Sequence, residues 1–520
     1  MSCDPGTIGE VVTHATRQFR HKTAFLYDGA GLSFAQFDKR VNRLSNALSR
    51  HGLVKGDRIA FISRNRTECV EVYSSGKGGF VGMPLNWRLS RQELTFLLQN
   101  SGATAIFADK HYAPVVDALR PELPDLKHFI AFDYPLEKWV SYETIISEAP
   151  DTPPSTPVSP EDPLCLFYTS GTTGTPKGVL LTHRGLMQNS AESASLAMKF
   201  TSDDIALTVM PLFHVGGMWY HLFPSYLSGC TTIIEESFDP LRTLELLKAQ
   251  KVTNVHLVPT MIGALLNVPG VEKQDLEHFR LMYYAGSSIP EEMLRRAMSV
   301  FKQTKFLQAY GSTEGGSCTI LKPEDHDEAV MTSGRGELLC SCGKPFGDLK
   351  LKIVDPQGDE LPRDKIGEVA VLSKRTMFGY WKNPDADRNA IQDGWVRMGD
   401  LAYQDNDGYV FIVGRKHDMI VTGGENVFPF EVENALYQNP KILEAAVFGV
   451  PDRKWVEAVA AAVVLQDGVE SDAAEIINDC KTRLAGYKCP KVIVFTDSLP
   501  KSPAGKVLKR KLRENYGKPQ

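Results

Sequence analysis

An α/β architecture of largely parallel sheets, joined to a small β-barrel and followed by a small, mobile α+β tail, is what the patterning of this chain predicts. Three observations lead there. The chain has 520 residues, more than one hydrophobic core usually organises, so at least two domains are expected. Between residues 35 and 310, short apolar runs alternate with longer helix-patterned stretches, the signature of parallel strands joined by helical crossovers. After residue 348 the spacing tightens into hairpins.

In chain order, the apolar runs are RIAFIS at 58–63, ATAIFA at 103–108, LCLFYTS at 164–170, VTNVHLVP at 252–259 and RLMYYAG at 280–286. The segment 149–163, APDTPPSTPVSPEDP, carries six prolines among Ser, Thr and Asp, so it predicts a surface connector. LKLKIVD then runs into a PQGD turn, and YQDNDGYVFIVGR sets Asp407-Gly408 between alternating apolar residues, both hairpin patterns. Beyond GRKHD at 414–418 a second mixed stretch ends in LPKSPAGKVLKRKLRE. The expected division is a large unit over 1–413, a hinge at 414–417 and a smaller unit over 418–520, with no internal repeat.

Lys and Arg total 58 against 63 for Asp and Glu, a net charge of -5 with no long basic run, which argues against nucleic acid as a partner. The first thirty residues hold no apolar signal region and no stretch is apolar for the length a spanning helix needs, so a cytoplasmic protein without integral membrane association is expected. Nine cysteines are scattered, and Cys340 and Cys342 lack the His or second pair that would complete a zinc site, so reduced structural thiols are expected. The final NYGKPQ matches neither a peroxisomal tripeptide nor a prenylation box.

The chemistry concentrates at residues 168–179, YTSGTTGTPKGV. Glycines at 171 and 174 let backbone N–H groups approach an anion, the hydroxyls of Thr169, Ser170, Thr172 and Thr173 add donors, and Lys177 adds charge, as a phosphate-cradling loop requires. It is not the Walker A loop: counting from Gly171, Pro176 takes the place of the second glycine and Gly178 that of the magnesium-binding hydroxyl.

TSGTTGTPKG resembles the signature loop of the adenylate-forming superfamily of acyl-CoA synthetases, amino-acid adenylation domains and luciferases. The other family motifs follow in order: YGSTE at 310–314, WVRMGDLA at 395–402, GRKHDMIVTGGENV at 414–427 and PKSPAGKVLKR at 500–510. The resemblance implies ATP, Mg2+ and coenzyme A as cofactors and a small carboxylic acid as substrate. Activating a carboxylate as its acyl-AMP demands cations and fixed donors around a pentavalent phosphorus, more than proton transfer. By resemblance, Glu314 holds magnesium. Thr313 and Gln308 touch phosphate and nucleotide, Gly286 and Ser287 lie beside the adenine, and Tyr310 and Gly311 belong to the same nucleotide motif. Asp400 grips the ribose hydroxyls with support from Arg415. Lys506, in SPAGKV, is the expected catalytic lysine, with Thr313 and His214 beside it in the catalytic group.

For the acceptor, Gly423 and Gly424 leave the backbone bare, so the resemblance places them along a pantetheine tunnel, with Trp455 near the CoA nucleotide. Val456 departs from the pattern, replacing the glycine common after that tryptophan. In PLFHVGGMW, His214 stands where amino-acid-activating relatives carry Asp. Gly216, Gly217, Ala309, Gly316 and Ser317 are the small residues expected to face the acyl group, implying a hydrophobic monocarboxylate, either a medium or long fatty acid or an aryl acid. Transfer to a carrier protein is the alternative, although the extra segment of that branch is missing. A non-catalytic homologue would be expected to have lost Lys506, Glu314 or Asp400. The expected pivot is His417, where a proline should trap one domain orientation, sparing acyl-AMP formation and slowing thioester formation.

Overall fold

All five apolar runs are strands of two large sheets. The computed structural model describes residues 6–133, 137–169, 176–501 and 507–517. A nine-stranded sheet runs, in spatial order, Lys344–Pro345, Gly316–Leu321, Lys305–Ser312, Leu281–Ala285, Asn254–Leu257, Ile205–Thr208, Thr231–Ile234, Thr23–Tyr27 and Ala30–Ser33. From Lys305–Ser312 to Thr23–Tyr27 every neighbouring pair is parallel. An eight-stranded sheet runs Gly379–Tyr380, Lys177–Thr182, Pro163–Thr169, Val81–Pro84, Arg58–Ile62, Ala105–Ala108, His128–Ala131 and Val140–Ser141. It is parallel from Pro163–Thr169 onward, and on the other side Lys177–Thr182 and then the edge strand Gly379–Tyr380 join by antiparallel pairing.

The runs are continuously apolar because both faces of each sheet are covered. Leu281, Tyr283 and Ala285 point into the core shared by the two sheets, together with Phe61, Phe107, Trp219 and Phe223. Met282 and Tyr284, offset by one residue, point into the second core on the opposite face. Helices begin where local chemistry prescribes: Ser33 and Gln36 form a capping box at the start of Phe34–Arg50, as Ser90 and Glu93 do for Arg91–Ser101. The proline-rich connector is strapped to the first of these helices, whose Asn42 and Asn46 side chains donate to the carbonyls of Asp151, Pro150 and Thr152.

The hairpin region expected to form a barrel is an antiparallel sheet of Lys350–Val354, Gly367–Leu372, Trp395–Gln404, Ile391–Gln392 and Val410–Arg415. From residue 420 onward the strands form a separate sheet, Glu425–Val427, Ile420–Thr422, Val456–Leu465 and Ile442–Asp452, with Val492–Phe495 beside the third. Among the described residues no helix is long and apolar enough to cross a membrane. Eight described cysteines are free, seven of them buried.

Candidate functional site

Gly286, Ser287, His214 and the Tyr310–Gly311 pair lie toward the carboxyl ends of parallel strands, where open α/β sheets leave a crevice for ligands. Gly286 and Ser287 follow Leu281–Ala285, with Gly286 at φ +92, and both are exposed. His214 lies in the loop after Ile205–Thr208 and is half-buried. Gln308, Tyr310 and Gly311 lie on Lys305–Ser312.

At the phosphate loop, Thr169 stands opposite Lys177 across an antiparallel pair, so the two ends of the loop are held together. Ser170, Gly171, Thr172, Thr173 and Gly174 lie outside the described residues, as does Lys506. Thr169 Oγ1 donates to Glu314 Oε1 at 3.3 Å, and the Tyr380 hydroxyl lies 3.4 Å from the same oxygen. Lys177 Nζ stands 5.1 Å from the centre of the Tyr380 ring, a cation–π distance. Burial, then the Glu314 carboxylate, raises the Tyr380 phenol, so it stays a donor. Tyr380 thus joins the loop lysine to the expected metal ligand, a role no local pattern announces.

Glu314 is aimed by a tight turn. The Ser312 hydroxyl accepts from the backbone N–H groups of Glu314 and Gly315 at 3.1 and 3.0 Å, and its carbonyl accepts from the Tyr220 hydroxyl at 2.7 Å. Gly311 is demanded by close approach: a Cβ there would lie 2.1 Å from the Gly316 carbonyl oxygen. Thr313 is buried in this turn, and Gln308 is buried with its carboxamide oxygen unpartnered among the described residues, ready for a donor such as an exocyclic amine.

Asp400 is only 4% exposed, yet it is well supplied: the Tyr310 hydroxyl donates to Oδ2 at 2.7 Å and Arg415 Nε lies 2.8 Å from Oδ1. Asp400 and Arg415 face each other across the pairing of Trp395–Gln404 with Val410–Arg415. Burial, then Asp400, holds the Tyr310 phenol well above its usual range. A buried carboxylate with both oxygens oriented suits a pair of adjacent hydroxyls.

The small residues expected around the acyl group separate into different environments. A Cβ on Gly216 would lie 3.3 Å from His256 Cε1 and 3.9 Å from His214 Nδ1, so the glycine lets the backbone pass close to the two imidazoles. Ala309 and Ser317 are buried on two strands that pair with each other. Gly217 differs: its Cβ would lie 2.4 Å from the Pro211 carbonyl oxygen, so packing alone requires glycine. Gly316 also differs, with φ +75 and its missing Cβ aimed at Arg375 and Asn189, so a larger residue there is strained whatever the acid. His256, Tyr283 and Asn189, which accepts from Ser317 N at 3.0 Å, complete this wall and carry no motif in the sequence.

In the tail, Gly423 and Gly424 form the two-residue loop of a hairpin closed by Thr422 opposite Glu425. Their φ values of +60 and +86 are those of a turn that admits glycine at both positions. Both are exposed in this arrangement. Gly423 N donates to the Trp455 carbonyl at 2.9 Å, and a Cβ on Gly423 would lie 2.8 Å from the indole, so Trp455 is laid along the glycine loop. His417 sits in a turn: Asp418 N and Met419 N both donate to the Arg415 carbonyl.

A nucleotide-activating site built across two α/β sheets is the class these features define. Residues 12–381 match the family model described as AMP-binding enzyme, and residues 431–506 that of the AMP-binding enzyme C-terminal domain. The chain belongs to this adenylate-forming family, in its acyl-CoA synthetase branch. An indoleacetate–CoA ligase of Aromatoleum aromaticum is 35% identical over 95% of each chain. A fatty acid–[acyl-carrier-protein] ligase of Streptomyces coeruleorubidus is 34% identical over 95% of this chain and 93% of its own. Among solved structures, ATP-bound MatB of Rhodopseudomonas palustris superposes with a TM-score of 0.89 at 28% identity, covering 98% of this chain and 99% of its own. The apo form of the same protein, also 28% identical, scores 0.77 over 97% and 99%.

Proposed function

We propose that the chain is an ATP-dependent carboxylic acid:CoA ligase, forming acyl-AMP and pyrophosphate and then the CoA thioester of a hydrophobic monocarboxylate. The observation that carries this reading is Asp400, buried and oriented by Tyr310 and Arg415, facing the same crevice as Glu314, Thr169 and Lys177. Asp400 takes the ribose hydroxyls, the loop 169–177 the phosphates, and His214 stands beside the carboxylate. Thr313 and Lys506 serve the phosphate as charge develops. Among the described residues no cluster of three or more metal-binding side chains occurs. Glu314 would be the carboxylate that holds Mg2+, an ion that usually binds through one or two carboxylates with substrate phosphates. Bound there, magnesium neutralises charge on the phosphates. The large unit over 1–413 holds these groups, 414–417 is the hinge, and 418–520 brings first Lys506 and then the loop at Gly423 and Gly424 to the crevice. Trp455 guides the CoA nucleotide in that second position.

The test is a pyrophosphate-release screen over acids of varied chain length and ring content, with and without CoA. We expect acid-dependent release, and thioester only when CoA is present. Lys506→Ala should slow adenylation by about two to three orders of magnitude, as loss of one transition-state donor does, while supplied acyl-AMP is still converted to thioester. Equal loss in both half-reactions contradicts the assignment. The carrier-protein ligase among the relatives favours a second reading, in which a phosphopantetheinyl protein replaces CoA. Thioester formed only on a holo carrier protein would establish it.

A further inference from the structure

His256 lies on the strand Asn254–Leu257, 3% exposed, with its ring stacked on Tyr283 at a centroid separation of 4.3 Å. Its Nδ1 is 3.2 Å from the Gly216 carbonyl oxygen. A carbonyl can only accept, so the ring proton sits on Nδ1 and Nε2 presents a lone pair. Burial, then the neighbouring His221, holds this imidazole well below its usual range and therefore neutral. Nε2 is buried and has no hydrogen-bond partner among the described residues.

The adjacent buried histidine is different. His221 Nε2 lies 2.8 Å from Asn254 Oδ1, so its polar demand is met inside the protein. An acceptor left unmade costs its full desolvation, so a buried lone pair calls for a donor, supplied by water or by a ligand. His256 borders the residues expected around the acyl group. The missing side chain of Gly216 points between His214 and His256.

Resting on the acid:CoA ligase reading above, we propose that the acyl tail lies along Gly216 from His214 toward His256, and that the preferred acids carry an N–H or O–H donor in the tail that meets His256 Nε2. This narrows the substrate from any apolar monocarboxylate to one with a single donor, such as a hydroxyaryl or N–H heteroaryl acid, and makes His256 a specificity-determining residue.

The experiment uses matched acids built on whichever scaffold the wild-type enzyme turns over fastest: one member with a free hydroxyl or ring N–H, the other with that group methylated or removed. Acid-dependent pyrophosphate release gives kcat/KM for each. Wild type should favour the donor-bearing member by roughly tenfold or more, as sites with an otherwise unpaired polar group do. His256→Leu should abolish that preference while retaining turnover of the donor-free acid, and His256→Gln, which keeps an acceptor oxygen, should restore part of it. Wild type indifferent to the donor overturns the proposal, and that comparison needs no variant to fold. Equal slowing of both acids by His256→Leu, with the preference intact, also overturns it. If no acid supports pyrophosphate release, the ligase reading itself fails and this inference falls with it.

Discussion

Asp400 shows how a single buried charge is made useful. Removing a carboxylate from water is costly unless donors replace the lost hydration, and here a phenol and a guanidinium do so from two different strands. Those partners hold both oxygens in fixed directions before any nucleotide arrives, so the interaction with ribose forms on binding and not during chemistry. Asp400→Ala should therefore raise the apparent KM for ATP by roughly tenfold or more, the scale of a lost charge-assisted hydrogen bond, and move that for the acid far less. Initial-rate titrations of each substrate at saturating levels of the other read this directly. A change confined to the acid's curve would remove Asp400 from the nucleotide.

At the level of elements, the turn joining Ile442–Asp452 to Val456–Leu465 carries strain at one position. Val456 has φ +72, a conformation in which a β-branched side chain crowds the backbone, and it is 74% exposed, so no packing compensates. The glycine that the family resemblance leads one to expect here would meet this backbone geometry without strain. Val456→Gly should stabilise the tail, with relief of the left-handed penalty partly offset by the greater freedom of glycine in the unfolded chain, for a net gain of about 0.5–1 kcal/mol. Thermal unfolding should show a higher midpoint, and an unchanged or lower one would show that the turn bears valine without strain. The same turn marks what the sequence makes legible. Contiguous strings such as the 168–179 loop and YGSTE identify their own residues, and buried parallel strands announce themselves as unbroken apolar runs. Tyr380, Asn189 and His256 act only through partners far away in the chain: Tyr380 reaches Glu314 across 66 positions and Asn189 reaches Ser317 across 128. No local periodicity encodes such meetings. Gly217 and Gly316 show the converse, since smallness in the sequence does not say whether a ligand or a neighbouring carbonyl requires it.

For the whole molecule, the proposed cycle depends on how the tail sits on the large unit. Lys416 is still tied to the antiparallel sheet, its N–H donating to the Gly399 carbonyl at 3.0 Å and its ammonium 3.1 Å from Glu368. Asp418 already belongs to the tail, paired with Arg513 of the last helix at 2.6 Å. His417 is the residue between these anchors, which is where a hinge should absorb its change in φ and ψ. The arrangement described superposes with a TM-score of 0.89 on the ATP-bound form of one relative and 0.77 on its apo form, and in it Gly423 and Gly424 are exposed. In this arrangement Asp418 N and Met419 N both close onto the Arg415 carbonyl, a turn that needs Lys416 in the α region. Proline at 417 would push its predecessor out of that region. This turn leads to a different prediction from the one drawn from sequence, in which acyl-AMP formation survives. His417→Pro should slow adenylation by roughly tenfold or more, the scale of a strained backbone position, and conversion of preformed acyl-AMP with CoA by less. His417→Ala, which leaves the backbone free, should keep both steps near wild type. Pyrophosphate release and consumption of supplied acyl-AMP measure the two separately. Equal slowing, or none, removes the hinge from His417, and slowing of the thioester step alone means that the Arg415 turn is not a feature of the adenylating arrangement.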